Sequence, residues 1–474
     1  MHVGPRSPRK TTDPRREGAA LLVLIGLLVL VAAFFAGRQW LSPSVEPEEG
    51  PMGEGQGIGL ERTVLEGGAG LVEEKRASEM AAAAAAGDQQ RLAVLRMNEE
   101  AVALLDQGQT EAALERIREA RALEPEDDFL ARQLSRIAVR RASELTAVGR
   151  LEEALALLDE AMAVDADGGL PAAWKGRLLM RQGRRAEAME LVVAQLEAVP
   201  ESVPLLRLRA ELARLEGDDA ATVAYLERAL AAAPELPGLA EEVTRATEEA
   251  RAMASYLTDA TAHFDLRFDP ADAALVQAMP ELGALVEEAW SDVLAATGLR
   301  PQQRVLVLFL DPARYRMAAP DWSSGLYDGR VRIVIDDPEE HLPELARTLR
   351  HELTHAALFT LGAPLPTWLH EGLAQQVEGA DVGFARARLV AQGQWFLAPE
   401  ELSGDWTVWR DQDRVREAYF YSLSLATWLG DEFGGTVWGN LFQNLRGRSF
   451  QEAWQLTFGA SWDAVEARHR LTLS

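Results

Sequence analysis

Glycine recurs at Gly108, Gly149, Gly183 and Gly217, and the last two intervals are each 34 residues. Five positions after each stand Ala113, Ala154, Ala188 and Thr222; twelve after stand Ala120, Ala161, Gln195 and Ala229; seventeen after stand Pro125, Ala166, Pro200 and Pro234. Small residues let two helices cross closely, glycine opens an inner turn and proline an outer one. A helical pair of this kind cannot bury its apolar face alone, so successive copies must stack. The period therefore commits residues from about 92 to 250 to an all-α solenoid. The first interval is 41 residues, which implies lengthened helices or an inserted turn.

This pattern resembles the tetratricopeptide repeat, in degenerate copies that depart from it at Ala166, Gln195 and Thr222. The resemblance implies a surface that binds peptides or a partner protein. The plainer reading is a spacer that only packs on its neighbour.

Ahead of the repeats, residues 1–18 are polar and basic, with Arg6, Arg9, Lys10, Arg15 and Arg16, and Ala19 to Ala36 then runs without a charge. That length is at the lower end of what spans a bilayer. The basic flank should stay in the cytoplasm and Trp40 should sit at the far interface, so the expectation is a signal anchor that leaves residues 37–474 outside the cytoplasm, in the periplasm. Cleavage after Val31-Ala32-Ala33 is the alternative. Residues 37–90 begin rich in Pro, Gly and Glu, as in a flexible acidic tether, and turn Ala-rich and helical from residue 78. A formal charge of −26 argues against a nucleic-acid partner. No cysteine is present, so no thiolate can serve as a metal ligand.

The chemistry concentrates in Arg350-His351-Glu352-Leu353-Thr354-His355-Ala356 and, shortly after, Trp368-Leu369-His370-Glu371-Gly372. On a helix, positions four apart share a face, so His351 and His355 can offer imidazole nitrogens to one point, a pairing suited to Zn²⁺. Glu352 cannot aim at that point with both rings, but it can reach a water held there and take its proton as the water attacks a carbonyl. Leu345, Leu349, Leu353, Ala356, Ala357 and Leu358 form an apolar stripe, so the helix is expected to be buried, and buried histidines need a partner. A third histidine six residues after His355 is excluded, because that position is Leu361. Instead Gly362-Ala363-Pro364-Leu365-Pro366 breaks the helix, and a second helix opening near Thr367 can return Glu371 beside the histidines. Neighbours on a helix point about 100° apart, so only one of His370 and Glu371 can face the metal.

His-Glu-Leu-Thr-His with the Pro-x-Trp-Leu-x-Glu-Gly-Leu-Ala segment resembles the peptidase MA-like (gluzincin) metallopeptidases found fused to tetratricopeptide repeats. The resemblance implies that His351, His355 and Glu371 bind zinc and that Glu352 is the general base. Tyr419, in Ala-Tyr-x-x-Ser, is similar to the family position that supplies a phenol to the oxyanion, with Tyr421 second.

Around these motifs the sequence predicts a strand at His263–Phe268, a helix over Leu275–Ala296 with a break or fresh start at Pro280, and a buried strand over Arg304–Leu310. Gly325–Gly329 reads as a hairpin connection. Val331–Ile335 is the candidate edge strand for an extended substrate. From Pro399 the chain reads as helical, with a break at Gly434-Gly435. The expected whole is multidomain: an N-terminal transmembrane helix, a tetratricopeptide-like solenoid over 91–250, and an α+β zincin-like metallopeptidase domain over 251–474. Its expected function is metal-dependent peptide hydrolysis outside the cytoplasm. The alternatives are an envelope interaction scaffold with an inert peptidase-like domain, or hydrolysis of a non-peptide amide by the same site.

Overall fold

The computed structural model describes residues 88–164, 169–300, 303–316, 325–336, 342–392, 397, 399–404, 406, 409 and 411–473. The basic tail, the apolar stretch 19–36 and all but the end of the 37–90 tether lie outside them, as does Ala166. Among the described residues, no helix is long and apolar enough to cross a membrane.

Helical pairs come first: α1 (Gln89–Asp106) with α2 (Thr110–Leu123), α3 (Asp128–Ala147) with α4 (Leu151–Val164), α5 (Leu170–Arg181) with α6 (Arg185–Ala198), and α7 (Val203–Leu215) with α8 (Asp219–Ala232), followed by α9 (Leu239–Ala252). The four repeat glycines adopt φ between 72° and 76°, a left-handed turn that a side chain would strain. At the crossings Ala113, Ala120, Ala154, Ala161, Ala188 and Ala229 are fully buried. Helix α3 has 20 residues where α7 has 13, so a lengthened helix explains the 41-residue interval.

A mixed sheet follows. Its strands are β1 (Leu257–Ala260), β2 (Phe264–Phe268), β3 (Val305–Leu310), β4 (Gly325–Tyr327) and β5 (Val331–Val334), in the order β1-β2-β3-β5-β4. Strands β2, β3 and β5 run parallel, while β1 and β4 are antiparallel to their neighbours. One face presents Phe264, Leu266, Val307, Phe309, Val331 and Ile333 to α10 (Ala273–Thr297) and α12 (Leu342–Phe359), and the short α11 (Pro312–Arg316) follows β3. The chain ends in α13 (Thr367–Glu378), α14 (Val382–Gln392), α15 (Pro399–Ser403), α16 (Gln412–Phe433), α17 (Val437–Asn444), α18 (Phe450–Phe458) and α19 (Trp462–Leu471), packed on an aromatic core that includes Trp368, Trp438 and Trp454.

Three expectations are corrected here. Val331–Ile335 is not the sheet edge: β5 lies between β3 and β4, and the edge strand beside α12 is β4. Gly325–Gly329 is not a loop throughout, because Gly325–Tyr327 pairs with Val331–Ile333 and the turn is confined to the residues between. A three-residue strand containing glycine carries too little periodicity to be distinguished from a turn by sequence. Third, α10 runs unbroken through Pro280. Pro280 and Val276, whose carbonyl loses its helical donor there, both lie on the exposed face, where water can replace the missing bond. Among the described residues, three helices follow the Gly434 break.

The second face of the sheet is buried and mixed: Leu306, Leu308 and Leu310 of β3 form an apolar cluster with Met253, Tyr256 and Tyr315, and charged residues stand beside it. Arg267, Arg330 and Arg332 point into the solenoid and meet Asp219 of α8 and Glu249 of α9, with Asp328 and Arg214 completing the cluster. Arg330 is fully buried, and Glu249 Oε1 stands 2.6 Å from both Arg330 and Arg332. This network fixes the solenoid to the sheet, on the face opposite α12.

Candidate metal centre

Helix α12 lies under the sheet because Leu345, Leu349, Leu353, Ala356, Ala357 and Leu358 are all buried. That packing turns His351, Glu352 and His355 inward, where each is about 1% exposed. The chain breaks after Phe359 and re-enters helix at Thr367, with Pro366 at φ −65° preceding the first turn of α13. Glu371, one turn into α13, is completely buried. Gly372 brings α16 against this turn: a Cβ there would lie 2.4 Å from the Ser422 carbonyl oxygen. Gln375 donates from Nε2 to the carbonyls of Glu371 and Tyr419, both at 3.1 Å, tying α13 to α16.

His351, His355 and Glu371 each offer a donor atom, and these atoms lie within 4.8 Å of one another. Glu371 Oε2 is 3.5 Å from His351 Nε2 and 3.8 Å from His355 Nε2. Donors about 2.0–2.2 Å from one tetrahedral centre stand roughly 3.3–3.6 Å apart, so the two carboxylate–imidazole distances are close to the spacing that zinc requires, while the set as a whole spans up to 4.8 Å. Among the described residues, His351 Nε2 and both Glu371 oxygens find no hydrogen-bond partner. Buried polar atoms without partners are costly, and a cation would satisfy them together. His370 does not join this set; its ring lies 5.9 Å from that of His355.

The sequence reading missed Glu378. Its carboxylate accepts from His351 Nδ1 at 3.0 Å, leaving Nε2 to face Glu371, and it stands 3.6 Å from Arg347. The available signal was its position two turns after Glu371, on the same face of α13. A carboxylate behind a ligating histidine fixes the tautomer and ring orientation.

Glu352 lies against β4. Its carboxylate accepts the Tyr327 backbone N–H, and Gly325 makes the approach feasible, since a Cβ there would fall 2.6 Å from Thr348 and 2.8 Å from Glu352. Burial pushes Glu352 up to about 8; His351 pulls against this while Glu371 and Glu378 add to it. Burial holds His355 neutral, down to about 3. Burial acts the same way on His351, but Glu371 and Glu378 outweigh it and raise its pKa. A bound divalent cation would reverse the preference of His351 and leave both rings neutral.

The structure separates the two tyrosines. Tyr419 is buried with its hydroxyl beside Glu371, and burial followed by that carboxylate raises its pKa. Tyr421 instead donates its hydroxyl to Glu466 at 2.5 Å and packs on His469, away from the cluster.

Residues 145–212 match the tetratricopeptide repeat. No curated protein matches the chain significantly. The tetratricopeptide repeat match runs from the end of α3 through most of α7 and identifies an interaction module. It stops well short of α12.

Proposed function

We propose that the chain is a zinc-dependent peptidase whose tetratricopeptide repeats serve protein binding. The observation that supports this most is the approach of His351, His355 and Glu371 to one another with the carboxylate of Glu352 buried beside them. Together with the resemblance of the His-Glu-Leu-Thr-His and Trp-Leu-x-Glu-Gly segments to gluzincins, it favours metal-dependent hydrolysis. When bound by His351, His355 and Glu371, zinc supplies Lewis acidity toward a carbonyl and acidifies water. Glu352, oriented by the Tyr327 N–H, takes the proton of the attacking water and delivers it to the leaving amine. Glu378 holds the ring of His351, and Tyr419 offers a phenol donor to the oxyanion. By the apolar stretch at 19–36 and its basic flank, the enzyme would act outside the cytoplasm, tethered to the membrane.

The test is Glu352→Gln in the full chain. One zinc per chain should be retained while peptide hydrolysis is lost; hydrolysis equal to that of the parent refutes the mechanism. The tetratricopeptide repeat match supports a second reading, a scaffold with an inert peptidase-like domain. That reading is favoured if the parent chain binds a partner but digests no peptide in a library with zinc present.

A further inference from the structure

Three successive turns of the solenoid meet the rest of the chain. The α3–α4 turn packs on the loop after α17, where a Cβ on Gly149 would overlap the Arg448 carbonyl oxygen. The α5–α6 turn packs on the loop that ends α12: a Cβ on Gly362 would lie 2.7 Å from the Arg181 carbonyl oxygen and 3.0 Å from Gln182 Cα. The end of α7 packs on the β4–β5 turn. There a Cβ on Gly329 would lie 2.6 Å from Leu215, and Arg214 donates to the carboxylate and the carbonyl of Asp328 at 2.9 and 2.6 Å. Surfaces this close leave no passage for a chain between them. The turns are also continuous with one another, since Leu145 and Leu178 share one apolar cluster and Met180 and Leu215 the next.

These contacts fall on both sides of the candidate centre. On one side stands β4, where a Cβ on Gly325 would lie 2.8 Å from Glu352. On the other, α13 brings Glu371 and is tied to α16, in the helical region that also holds the α17–α18 loop. The solenoid therefore reaches from one wall of the centre to the other, across the end marked by Tyr327 and Phe359. Those two rings meet edge-on at 5.9 Å, and Tyr327 is only 8% exposed although β4 is the edge strand. An extended peptide that adds to β4 beside Glu352 would meet the solenoid after a short run. From Gly325 to Gly329 the chain can extend only about 13 Å at the rise of a strand.

We propose that the solenoid is the end wall of the substrate cleft, so that a peptide enters only by a free end and is cut within roughly four residues of that end. This rests on the peptidase reading for the chemistry. A segment held at both ends in a folded protein is excluded, because its chain would have to continue through packed backbone. The substrate class is therefore an unfolded peptide or a protein tail. Strand β4 runs from Gly325 toward Tyr327 and pairs antiparallel with β5. A peptide that continues this antiparallel ladder, the slightly more stable arrangement, presents its N-terminus to the wall. Short N-terminal fragments are the expected products, and the repeats thereby become part of the specificity machinery.

The experiment presents one long flexible peptide to the full zinc-loaded chain in four forms: free at both ends, joined to a folded domain at either end alone, and joined between two folded domains. Products are read by mass spectrometry. The free form and the form joined only at its C-terminus should lose N-terminal fragments of up to about four residues, and the form held at both ends should stay intact. Fragments released only from the C-terminal end would support the wall with the peptide running parallel to β4. Arg214→Ala, which removes both bonds to Asp328, should lengthen the fragments and begin to admit the doubly held form; unchanged fragments from a folded variant would deny the solenoid this part. Cutting of the doubly held form by the parent as fast as the free form overturns the proposal and leaves the peptidase reading intact. If no form is cut, the peptidase reading fails and fluorescence anisotropy decides the wall. Binding of the free peptide but not the doubly held one then supports it, and equal binding or none overturns it.

Discussion

Glu249→Gln tests the junction between solenoid and sheet. The cluster sets Arg214, Arg267, Arg330 and Arg332 against Asp219, Glu249 and Asp328. Neutralising Glu249 leaves four cations facing two anions, with Arg330 and Arg332 losing the carboxylate oxygen 2.6 Å from each. Removing one partner of a buried pair costs about 3–5 kcal/mol. A second route agrees: burial alone would raise Glu249, but Arg330 and Arg332 hold it at about 2 instead of 4.5, a gap worth about 3 kcal/mol. Because the folded-state pKa is depressed, this stability is present in full above the unfolded value. It is lost as pH falls from about 4.5 toward 2. In hydrogen exchange at pH 7, amides of β5 should exchange roughly 100-fold faster in Glu249→Gln than in the parent. In urea unfolding, the difference between the two chains should shrink to about half or less by pH 3. A difference under about 1 kcal/mol at pH 7, or one that stays constant down to pH 3, refutes the view that this buried charge joins the two regions.

Glu378→Ala should weaken zinc binding about 10- to 100-fold in competition with a chelator, since His351 loses the acceptor of its Nδ1–H; unchanged affinity would deny Glu378 that role. Tyr419→Phe should lower kcat on a peptide substrate about 100-fold while zinc stays bound. Tyr421→Phe, which removes the bond to buried Glu466, should instead lower stability by about 1–3 kcal/mol in thermal unfolding and spare hydrolysis. If the two substitutions exchange effects, the assignment of Tyr419 fails.

The features legible in sequence are those set by short-range periodicity. The 34-residue glycine spacing gave the helical pairs, because a left-handed turn and a small residue at a crossing are local demands. The i, i+4 spacing placed His351 and His355 on one helical face, and Pro366 marked the start of α13. What escaped notice depended on contacts between distant segments. β4 was read as a turn because its strand character comes from pairing with β5. Pro280 was read as a break because only the packed structure reveals that its freed carbonyl faces solvent. Glu378 gains its importance from a histidine 27 residues away in sequence.

By itself the sequence determined which residues could share a helix face, and so the two-histidine arrangement, its neighbouring glutamate and the stacking of the repeats. Tertiary structure decided which chemistry-bearing side chains meet: Glu371 instead of His370, Tyr419 instead of Tyr421, and Glu352 beside Gly325. Helical phase follows from backbone geometry within a few residues. Convergence requires separate helices to be pressed together by the burial of their apolar faces, and local spacing carries no record of which faces will meet.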